Sequence, residues 1–542
     1  MKIQTLLISF ILLIFSCSFF EKEKKDNTAT IALVAAGSSV AASNSWDTSK
    51  FGTDTNFISS MKSEQTLSTL ISSYSVPYDF NQNDVVGPTD WTIKYGVKPQ
   101  AVVYSNSDGS LDLAWQNITD ETNPKIIISN IARVDANTYK ISSNYIISSL
   151  GYLGGFTKDD SGNYYVMTAR KEDLAGVISP KSNAPWARKG VVAIVKIDSS
   201  KQSISYTTNL IGDPATNDSY EFRHIFSPMN AGTSRVAYGD GIVLSFFAKN
   251  LGYDTSISQR HQNGLFTTID STAGTEITGI NAYSHSFEQR VFYDSENKRF
   301  IGLELGDAYS RAIGLSIYSV ANSKGTKKTF MAFLIKGTSG ENNTYTRLGG
   351  VVNTSSGYLI LFATEKDATV ATAQATYPTN LALVRMTKTL SVTESSSTNA
   401  NYDSSFVGED FTVTQSGNSV TNKGVKWLTS YTGISTGTVE RPKIVSLSDG
   451  SIIVLWEEWT VSSNKSSYIS TKAMLVDSNG NITKSATALG NYHLSRGDDV
   501  VPICAPDKTC LEAGWITGDS VNKKIILYKV DKTLTLKLVT IQ

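Results

Sequence analysis

The densest cluster of polar side chains in the sequence is the segment 304–311, which reads Glu-Leu-Gly-Asp-Ala-Tyr-Ser-Arg. Two carboxylic acids that flank a sugar bond can hydrolyse it, because one protonates the leaving oxygen while the other attacks the sugar or activates water. Glu304 and Asp307 are therefore the candidate catalytic pair. Glu457 and Glu458 form a poorer pair, since consecutive strand residues point to opposite sides. For both sets a structural role is the stronger expectation.

Basic residues recur shortly before the tight turns of the chain, and they are candidates for holding an anion: Lys98, Arg290, Arg347 and Arg441. If they surround one opening, their side chains suit a carboxylate, sulfate or phosphate held by paired hydrogen bonds. The favoured expectation is that Arg290 and Arg441 instead form ion pairs with acids on neighbouring segments. Those acids are Glu288, Glu304 and Glu440.

Three of the four histidines, His224, His261 and His285, are weak candidates for a metal site. They lack the spacing of metal ligands on a helix or a hairpin, so we expect surface histidines and no bound metal. The remaining ligand-binding candidates are one arginine and three tryptophans: Arg311, Trp186, Trp427 and Trp459. An indole ring can stack on a sugar or anchor a protein partner.

The sequence lacks the motifs of the common enzyme and cofactor classes. It contains no glycine-rich phosphate loop, no Gly-x-Ser-x-Gly elbow and no His-Glu-x-x-His motif. We therefore expect no cofactor, and an enzyme becomes less expected. The 49 Lys and Arg residues balance the 49 Asp and Glu residues. This balance removes the long-range attraction that nucleic-acid binders and binders of anionic membranes use.

Residues 1–30 predict export and attachment to a membrane through a lipid. Met1-Lys2 precedes an apolar stretch, residues 6–15, which is too short to span a bilayer and is typical of a secretory signal. The run Leu-Ile-Phe-Ser-Cys that ends at Cys17 resembles the lipobox of bacterial lipoproteins. The resemblance implies a signal peptide over residues 1–16 and a lipidated tether over 17–30, whereas ordinary cleavage nearby would discard Cys17. The expected location is the bacterial cell envelope, at the outer membrane, facing the periplasm or the exterior.

Cys504 and Cys510 flank the turn-forming run Ala-Pro-Asp-Lys-Thr. In an oxidising compartment this spacing predicts a disulfide bond across a β-hairpin. A zinc site would need more cysteine or histidine ligands nearby than the chain offers.

The chain repeats a unit of one tight turn followed by one apolar strand. The turns are Asp108-Gly109, Ser161-Gly162, Asp240-Gly241, Asn297-Lys298, Ser356-Gly357, Asp449-Gly450 and Asp507-Lys508, and the strands are residues 111–115, 164–168, 242–247, 300–305, 358–363, 452–456 and 511–515. Bulky aromatic residues recur at a similar strand position in Trp115, Phe247, Trp456 and Trp515. The strand 452–456 is apolar on both sides, which is typical of a strand covered by sheets on both faces.

A second hairpin follows the first in each repeat. Its predicted strands are 189–198 with 203–210, 381–386 with 390–393, 469–477 with a strand ending near Leu489, and 523–530 with 533–541. Four antiparallel strands in a unit of roughly 55–60 residues fit one blade of a β-propeller. Over residues 97–542 the chain resembles bacterial seven-bladed β-propeller lipoproteins in architecture, which implies an all-β fold. A β-sandwich array would need linkers, and a parallel β-helix would repeat at a shorter period.

The long insertions predict one elaborated face of the propeller. With strands named A to D from the centre outward, segments 170–188 and 365–380 fit B–C connections, and 211–233 and 391–440 fit D–A connections. Both kinds of connection lie on one face, and loops on a rigid scaffold usually carry the binding residues. Residues 31–96 are expected to pack on the propeller, with a short helix over 58–73.

These features predict a lipid-anchored, monomeric envelope protein that acts as a binding or interaction module through its loop-rich face. The expected partner is a protein or a glycan, with no nucleic acid and with membrane contact through the lipid alone. Two other functions stay open at this point. One is a carbohydrate-active propeller enzyme, a glycoside hydrolase or a polysaccharide lyase, and the other is a scaffold subunit of an envelope complex.

Overall fold

The computed structural model describes the larger part of the chain beyond residue 100. The described ranges are 60–64, 101–117, 125–148, 151–170, 192–200, 203–210, 234–254, 259–284, 288–306, 312–321, 324–335, 346–366, 377–391, 403–415, 418–463, 465–495, 497–519 and 521–542. The chain divides into two units, residues 1–53 and 54–542, and every described residue belongs to the second. Within these ranges the regular elements are all β-strands.

The strands form seven consecutive four-stranded antiparallel units, or blades, with extra strands at two of them. Blades 1 to 3 contain β2 (Ala101–Ser105), β3 (Leu111–Asn117), β4 (Lys125–Arg133) and β5 (Tyr139–Ser148); β6 (Gly151–Lys158), β7 (Tyr164–Arg170), β8 (Val192–Ile197) and β9 (Ile204–Leu210); and β10 (Arg235–Gly239), β11 (Ile242–Asp254), β12 (Gln259–Asp270) and β13 (Glu276–Ser284). Blades 4 and 5 contain β14 (Glu288–Asp294), β15 (Arg299–Leu305), β16 (Ala312–Ala321) and β17 (Lys324–Leu334); and β18 (Arg347–Asn353), β19 (Tyr358–Glu365), β20 (Thr379–Met386) and β22 (Asn418–Trp427). Blades 6 and 7 contain β23 (Thr438–Ser446), β24 (Ile452–Ser462), β25 (Lys465–Val476) and β26 (Ile482–Gly490); and β27 (Val501–Cys504), β28 (Cys510–Asp519), β29 (Lys524–Asp531) and β30 (Leu536–Ile541).

All seven predicted turns lie between strands A and B of a blade, and the strand predicted after each turn is strand B. Gly109 illustrates why such a turn needs its residue type. Its φ is +86°, which side chains rarely adopt, and a Cβ atom there would lie 2.7 Å from the carbonyl oxygen of Cys504. The first turn of blade 1 therefore packs directly against blade 7.

Each pair of neighbouring blades shares one apolar core, and the seven cores close the series into a ring. The core between the last and first blades joins Trp115 and Ile127 of blade 1 to Ile516 and Leu527 of blade 7. A row of sandwiches would leave the first and last units without a shared core. The protein is therefore a closed seven-bladed β-propeller, as the sequence predicts.

Strand B of each blade is buried on both faces because two neighbouring blades cover it. In β24, Val454 and Trp456 face the core shared with blade 5, while Ile453 and Leu455 face the core shared with blade 7. The continuous apolar run predicted from the sequence follows from this position. The outermost strand β26 is exposed along most of its length, and its sequence is correspondingly polar.

Two contacts at the outer edge of the ring involve blade 1. Strand β1 (Ser60–Glu64) pairs antiparallel with β5, so the short helix predicted over 58–73 is wrong at these residues. The C-terminal end of β30 also meets β5, where Ile541 pairs with Tyr139. Strand β27 is the inner strand of blade 7, so the last blade is complete without a strand from the N-terminus.

Blade 5 departs from the prediction at its outer strand. Leu390 and Ser391 follow a turn and are not in a strand, although the sequence predicts strand D at 390–393. Strand D is instead β22, and it forms a hairpin with β21 (Glu409–Gln415). The segment 391–440 is therefore not a single D–A connection. It contains two strands, and the D–A connection is only the part from residue 428 to 437.

The hairpin of β21 and β22 is attached to blade 4 as well as to its own blade. Strand β22 pairs with β20 at only two residue pairs, Ala382 with Trp427 and Leu383 with Lys426. Farther along, the Asn422 side chain accepts a hydrogen bond from the Leu334 nitrogen at 2.6 Å and donates one to the Leu334 oxygen at 2.9 Å. The hairpin thus bridges the outer edges of two blades.

Candidate ligand-binding sites

A cluster of charged residues from several blades meets at the axis of the ring. Arg235 begins β10 in blade 3, Arg290 lies on β14 in blade 4, and Lys443 lies on β23 in blade 6. The acids Asp498 and Asp499 lie in the connection that enters blade 7. Blade 7 does not adjoin blades 3 and 4 in the ring, so these residues can meet only at the centre.

Asp499 bridges two arginines at this point. Its carboxylate lies 2.7 Å from Nε of Arg235 and 2.8 Å from Nε of Arg290. Burial favours the neutral acid, but the two guanidinium groups outweigh burial and hold the pKa of Asp499 well below its usual range. The arginine side chains are almost fully buried, whereas the carboxylate of Asp499 is 41% exposed. The Asp499 side chain is therefore partly accessible to solvent at the axis of the ring.

Lys443 is a buried base of the cluster with a lowered pKa. Burial and the nearby charge of Arg290 lower its pKa from 10.5 to about 7, against the opposing effect of Asp499. Its Nζ atom donates a hydrogen bond to the carbonyl oxygen of Asp498 at 2.5 Å. The Asp498 carboxylate in turn accepts a hydrogen bond from the backbone nitrogen of Ala101 in blade 1 at 3.1 Å. The segment 497–499 thus contacts the inner strands of four blades, namely blades 1, 3, 4 and 6.

The other predicted arginines also form ion pairs. Arg347 pairs with Glu440 at 3.1 Å, and Arg441 pairs with Glu457 at 3.1 Å, with all four side chains buried. Arg290 and Arg441 are ion-paired, as the favoured expectation holds, but these partners, Asp499 and Glu457, are not among the predicted acids, and Glu457 lies in the same blade as Arg441. Lys98 lies outside the described residues.

Glu457 is the centre of a buried hydrogen-bond network. It accepts hydrogen bonds from Nε1 of Trp459 at 2.8 Å and from the backbone nitrogen of Leu494 at 2.7 Å, and His493 Nδ1 lies 3.2 Å away. Burial favours the neutral acid, but Arg441 and His493 lower the pKa of Glu457 overall. Trp459 is only 2% exposed, so it supports this network and offers no face to a ligand. The bulge in β23 between Glu440 and Lys443 helps to direct these side chains.

The proposed catalytic pair is not assembled within the described residues. Glu304 is fully buried in β15, and Lys327 lies close enough for the charge of Glu304 to oppose the burial that lowers the lysine pKa. Asp307, Arg311, Trp186, His224 and His285 lie outside the described residues, and so does the side chain of His261.

Two further findings concern metals and membranes. Across the described ranges, no group of three or more His, Cys, Asp or Glu side chains is placed to hold a metal ion. The same residues include no helix that is long and apolar enough to cross a membrane.

The disulfide bond predicted between Cys504 and Cys510 is present and closes the turn between β27 and β28.

The structure adds a groove at the rim between blades 5 and 6, which the sequence does not reveal. It is a solvent-open groove with a volume of about 570 Å³. Residues of four segments line it: Lys366, Gly408, Glu409, Val425, Lys426, Trp427, Leu428, Thr429, Ser430, Gly480, Asn481 and Ile482. Trp427 and Ile482 provide apolar surface, while most of the remaining side chains are charged or polar.

The polar groups of this groove are held in place by the protein. The Lys366 ammonium lies 3.0 Å from the Glu409 carboxylate and 5.2 Å from the centre of the Trp427 ring. Asn481 is fixed by two hydrogen bonds to Asp477, from its backbone nitrogen at 2.9 Å and its side-chain nitrogen at 3.0 Å. Phe411 also packs against Trp427, with the two ring centres 5.2 Å apart and the ring planes at 74° to each other. The groove therefore combines an aromatic ring with pre-positioned hydrogen-bonding groups.

Glycines shape the wall of the groove on the side of blade 6. Gly480 has a φ of +70°, and a Cβ atom there would lie 2.9 Å from the ring of Phe406. The Asp-Ser-Asn-Gly-Asn turn at 477–481 is readable from the sequence. Its position beside Trp427 is not readable, because it depends on how blade 6 packs against the hairpin of blade 5.

Comparisons with known proteins define no family for this chain. No model of a known protein family matches it, and no curated protein matches it. Among solved structures, an α-L-arabinanase from Penicillium chrysogenum complexed with arabinobiose is 10% identical, with a TM-score of 0.33 over 72% of this chain and 80% of that one. An endo-arabinase from Bacteroides thetaiotaomicron is 12% identical, with a TM-score of 0.26 over 73% and 95%.

A third solved structure, a xylan β-1,4-xylosidase from Bacillus halodurans, is 13% identical, with a TM-score of 0.29 over 63% of this chain and 59% of that one. All three are named as carbohydrate-active enzymes. At such TM-scores the similarity carries no argument about the chemistry of this chain, and the case for a function rests on its own residues.

Proposed function

We propose that this propeller is a carbohydrate-binding module whose ligand site is the rim groove beside Trp427. The observation that carries the proposal is the composition of the groove, in which one aromatic ring lies among fixed charged, hydroxyl and amide groups. A sugar ring has an apolar face of C–H groups and an edge of hydroxyl groups. An aromatic ring with convergent polar groups is suited to both surfaces.

The fixed geometry of the polar groups favours binding. The Lys366–Glu409 ion pair and the hydrogen bonds of Asn481 hold these side chains before a ligand arrives. A ligand therefore loses less free energy to the ordering of side chains than it would on a mobile surface. The open shape suits an oligosaccharide that lies along the rim.

Binding is favoured over hydrolysis by the described carboxyl groups. A glycosidase acid needs a raised pKa so that it stays protonated near neutral pH. The arginine partners of Asp499 and Glu457 lower the pKa values of both acids. Glu304 is fully buried. We therefore favour a binding module, and a hydrolase or lyase is an outcome that the experiment below distinguishes.

We also propose that the module is held in the bacterial envelope by a lipid on Cys17. The support is the lipobox-like run at residues 13–17 and the polar segment that follows it. A lipid-anchored binding module would keep a glycan close to the cell surface. A scaffold role in an envelope complex would instead predict a protein partner at the same rim.

The test is a glycan array with the full chain in detergent, followed by calorimetry on the glycans that bind. Trp427→Ala should weaken their binding about tenfold, since loss of one stacked aromatic contact corresponds to about 1.4 kcal/mol. The matched control is Leu538→Ala, which removes a 46% exposed apolar side chain from blade 7.

Three results would decide against the proposal. One is an array that shows no bound glycan, and another is a Trp427→Ala variant that binds the glycans as well as the wild type does. Release of new reducing ends from a bound glycan by the wild-type protein would identify an enzyme instead.

A further inference from the structure

The residues that line the rim groove carry more positive than negative charge. Lys366 and Lys426 are basic and Glu409 is acidic, which leaves one excess positive charge. Lys366 is occupied by Glu409 at 3.0 Å. The excess charge therefore lies at Lys426.

Lys426 is surrounded by uncharged acceptors. Its Nζ atom donates hydrogen bonds to the Asn479 carbonyl oxygen at 2.6 Å and to Oδ1 of Asn481 at 2.7 Å. None of the salt bridges among the described residues includes Lys426. Burial lowers the pKa of Lys426, the nearby charge of Asp477 opposes this without forming an ion pair with it, and Arg385 adds to the lowering, so the charged form is incompletely compensated.

Lys426 and Trp427 reach different parts of the groove. Trp427 lies beside Lys366 and Phe411 in blade 5, whereas Lys426 extends to the 477–481 turn of blade 6. Consecutive residues of a strand point to opposite sides, and β22 ends at this pair. A ligand of two or more linked sugars is suited to contact both side chains.

We infer that the ligand of this groove is an anionic oligosaccharide, in which one sugar packs on Trp427 and a carboxylate or sulfate group on a neighbouring sugar binds Lys426. This inference rests on the proposed carbohydrate-binding function. A lysine ammonium is a compact charge without a preferred planar partner, so either anionic group suits it.

The experiment compares ligands that differ only in charge. Calorimetry with the full chain in detergent measures tetragalacturonate against its methyl ester, and a sulfated galactan oligosaccharide against its desulfated form. We expect at least one anionic member to bind about fivefold more tightly than its neutral counterpart, the size of an exposed ion pair. The difference should shrink at high salt, because salt screens exposed charges.

Two lysines of β22 provide a matched pair of variants. Lys426→Met should abolish the preference for the anionic ligand, and Lys426→Arg should retain most of it. Lys423→Met removes an equal charge from the same strand, but Lys423 does not line the groove and pairs with Asp410. It should leave the preference unchanged. Thermal unfolding of each variant verifies that the fold is intact.

The outcomes separate this inference from the proposed function. Equal affinity for the charged and neutral members of both pairs overturns the inference, as does an equal loss of preference in Lys423→Met and Lys426→Met. If neutral glycans bind with dependence on Trp427, the binding function stands while the charge assignment fails. If no glycan of either kind depends on Trp427, both fail.

Discussion

The buried lysine at the axis gives a quantitative test of the channel geometry. Lys443 is 2% exposed, and burial with the charge of Arg290 lowers its pKa from 10.5 to about 7. Between these two pH values the unfolded chain carries one more proton than the folded protein. Stability therefore rises with pH in this window by about 1.4 kcal/mol per unit, and below pH 7 the destabilisation is constant.

Lys443→Met removes this dependence because methionine does not titrate. We expect the stability of the wild type, measured relative to the variant, to increase by about 2 kcal/mol from pH 7 to pH 9, because the folded lysine is already half deprotonated at pH 7. Urea unfolding at several pH values in this range measures the difference. The variant also loses the hydrogen bond from Nζ to Asp498. This loss shifts its unfolding free energy by the same amount at every pH, so it does not affect how the difference from the wild type depends on pH.

The control for this measurement is Lys537→Met, which replaces a 46% exposed lysine far from the axis. The unfolding free energy of Lys537→Met should change with pH in the same way as that of the wild type from pH 7 to pH 9. If the difference in unfolding free energy between the wild type and Lys443→Met does not change over the same range, the pKa of Lys443 is not lowered. This result would mean that Lys443 is not desolvated beside two arginines and that the inner strands do not meet as described.

Three further predictions concern the axis, the turn of blade 7 and the anchor. Asp499→Asn leaves two buried arginines without their acid and should lower the unfolding free energy by about 2 kcal/mol in denaturant titration, less than for a fully buried pair because channel water screens the charges; an unchanged midpoint would contradict the bridging role. Replacing Cys504 and Cys510 together by serine should cost about 2 kcal/mol, as expected for a short closed loop, and thiol labelling of the oxidised wild type that reaches both cysteines would contradict the disulfide. The wild-type protein should partition into the detergent phase of a Triton X-114 separation while Cys17→Ala stays in the aqueous phase, and equal partitioning of the two would eliminate the lipid anchor.

The blades were predictable because their signals are local. A turn with a residue of positive φ, such as Gly109 or Gly450, is followed within a few residues by a strand covered on both faces. The aromatic residues Trp115, Phe247 and Trp456 recur because each packs toward the preceding blade. Such patterns depend on few residues and survive in one sequence without an alignment.

Strand D of blade 5 was not predictable for the opposite reason. The run from Leu390 to Thr393 alternates apolar and polar residues like an edge strand, but the outer edge of the blade is occupied by β22. That strand is held by Asn422 and by the contact between Phe333 and Phe411 across the blade boundary. Contacts between segments so far apart in the chain leave no local pattern.

For the candidate sites, too, local features were predictable from the sequence and long-range contacts were not. Ion pairing of the arginines was expected because acids such as Glu288 lie near them in the sequence. The partner of Arg290 is instead Asp499, more than 200 residues away in the sequence. Trp427 was identifiable as a tryptophan near a long loop. The neighbours that turn it into a groove come from a strand end, a hairpin and a turn of the next blade, and only the packing of two blades brings them together.

The most direct test of the central claim is a crystal structure of the full chain with the oligosaccharide that binds most tightly on the array. The account predicts sugar density in the rim groove, with one ring in contact with Trp427 and an anionic group within hydrogen-bond distance of Nζ of Lys426. Density at the axis beside Asp499, with an empty groove, would contradict it.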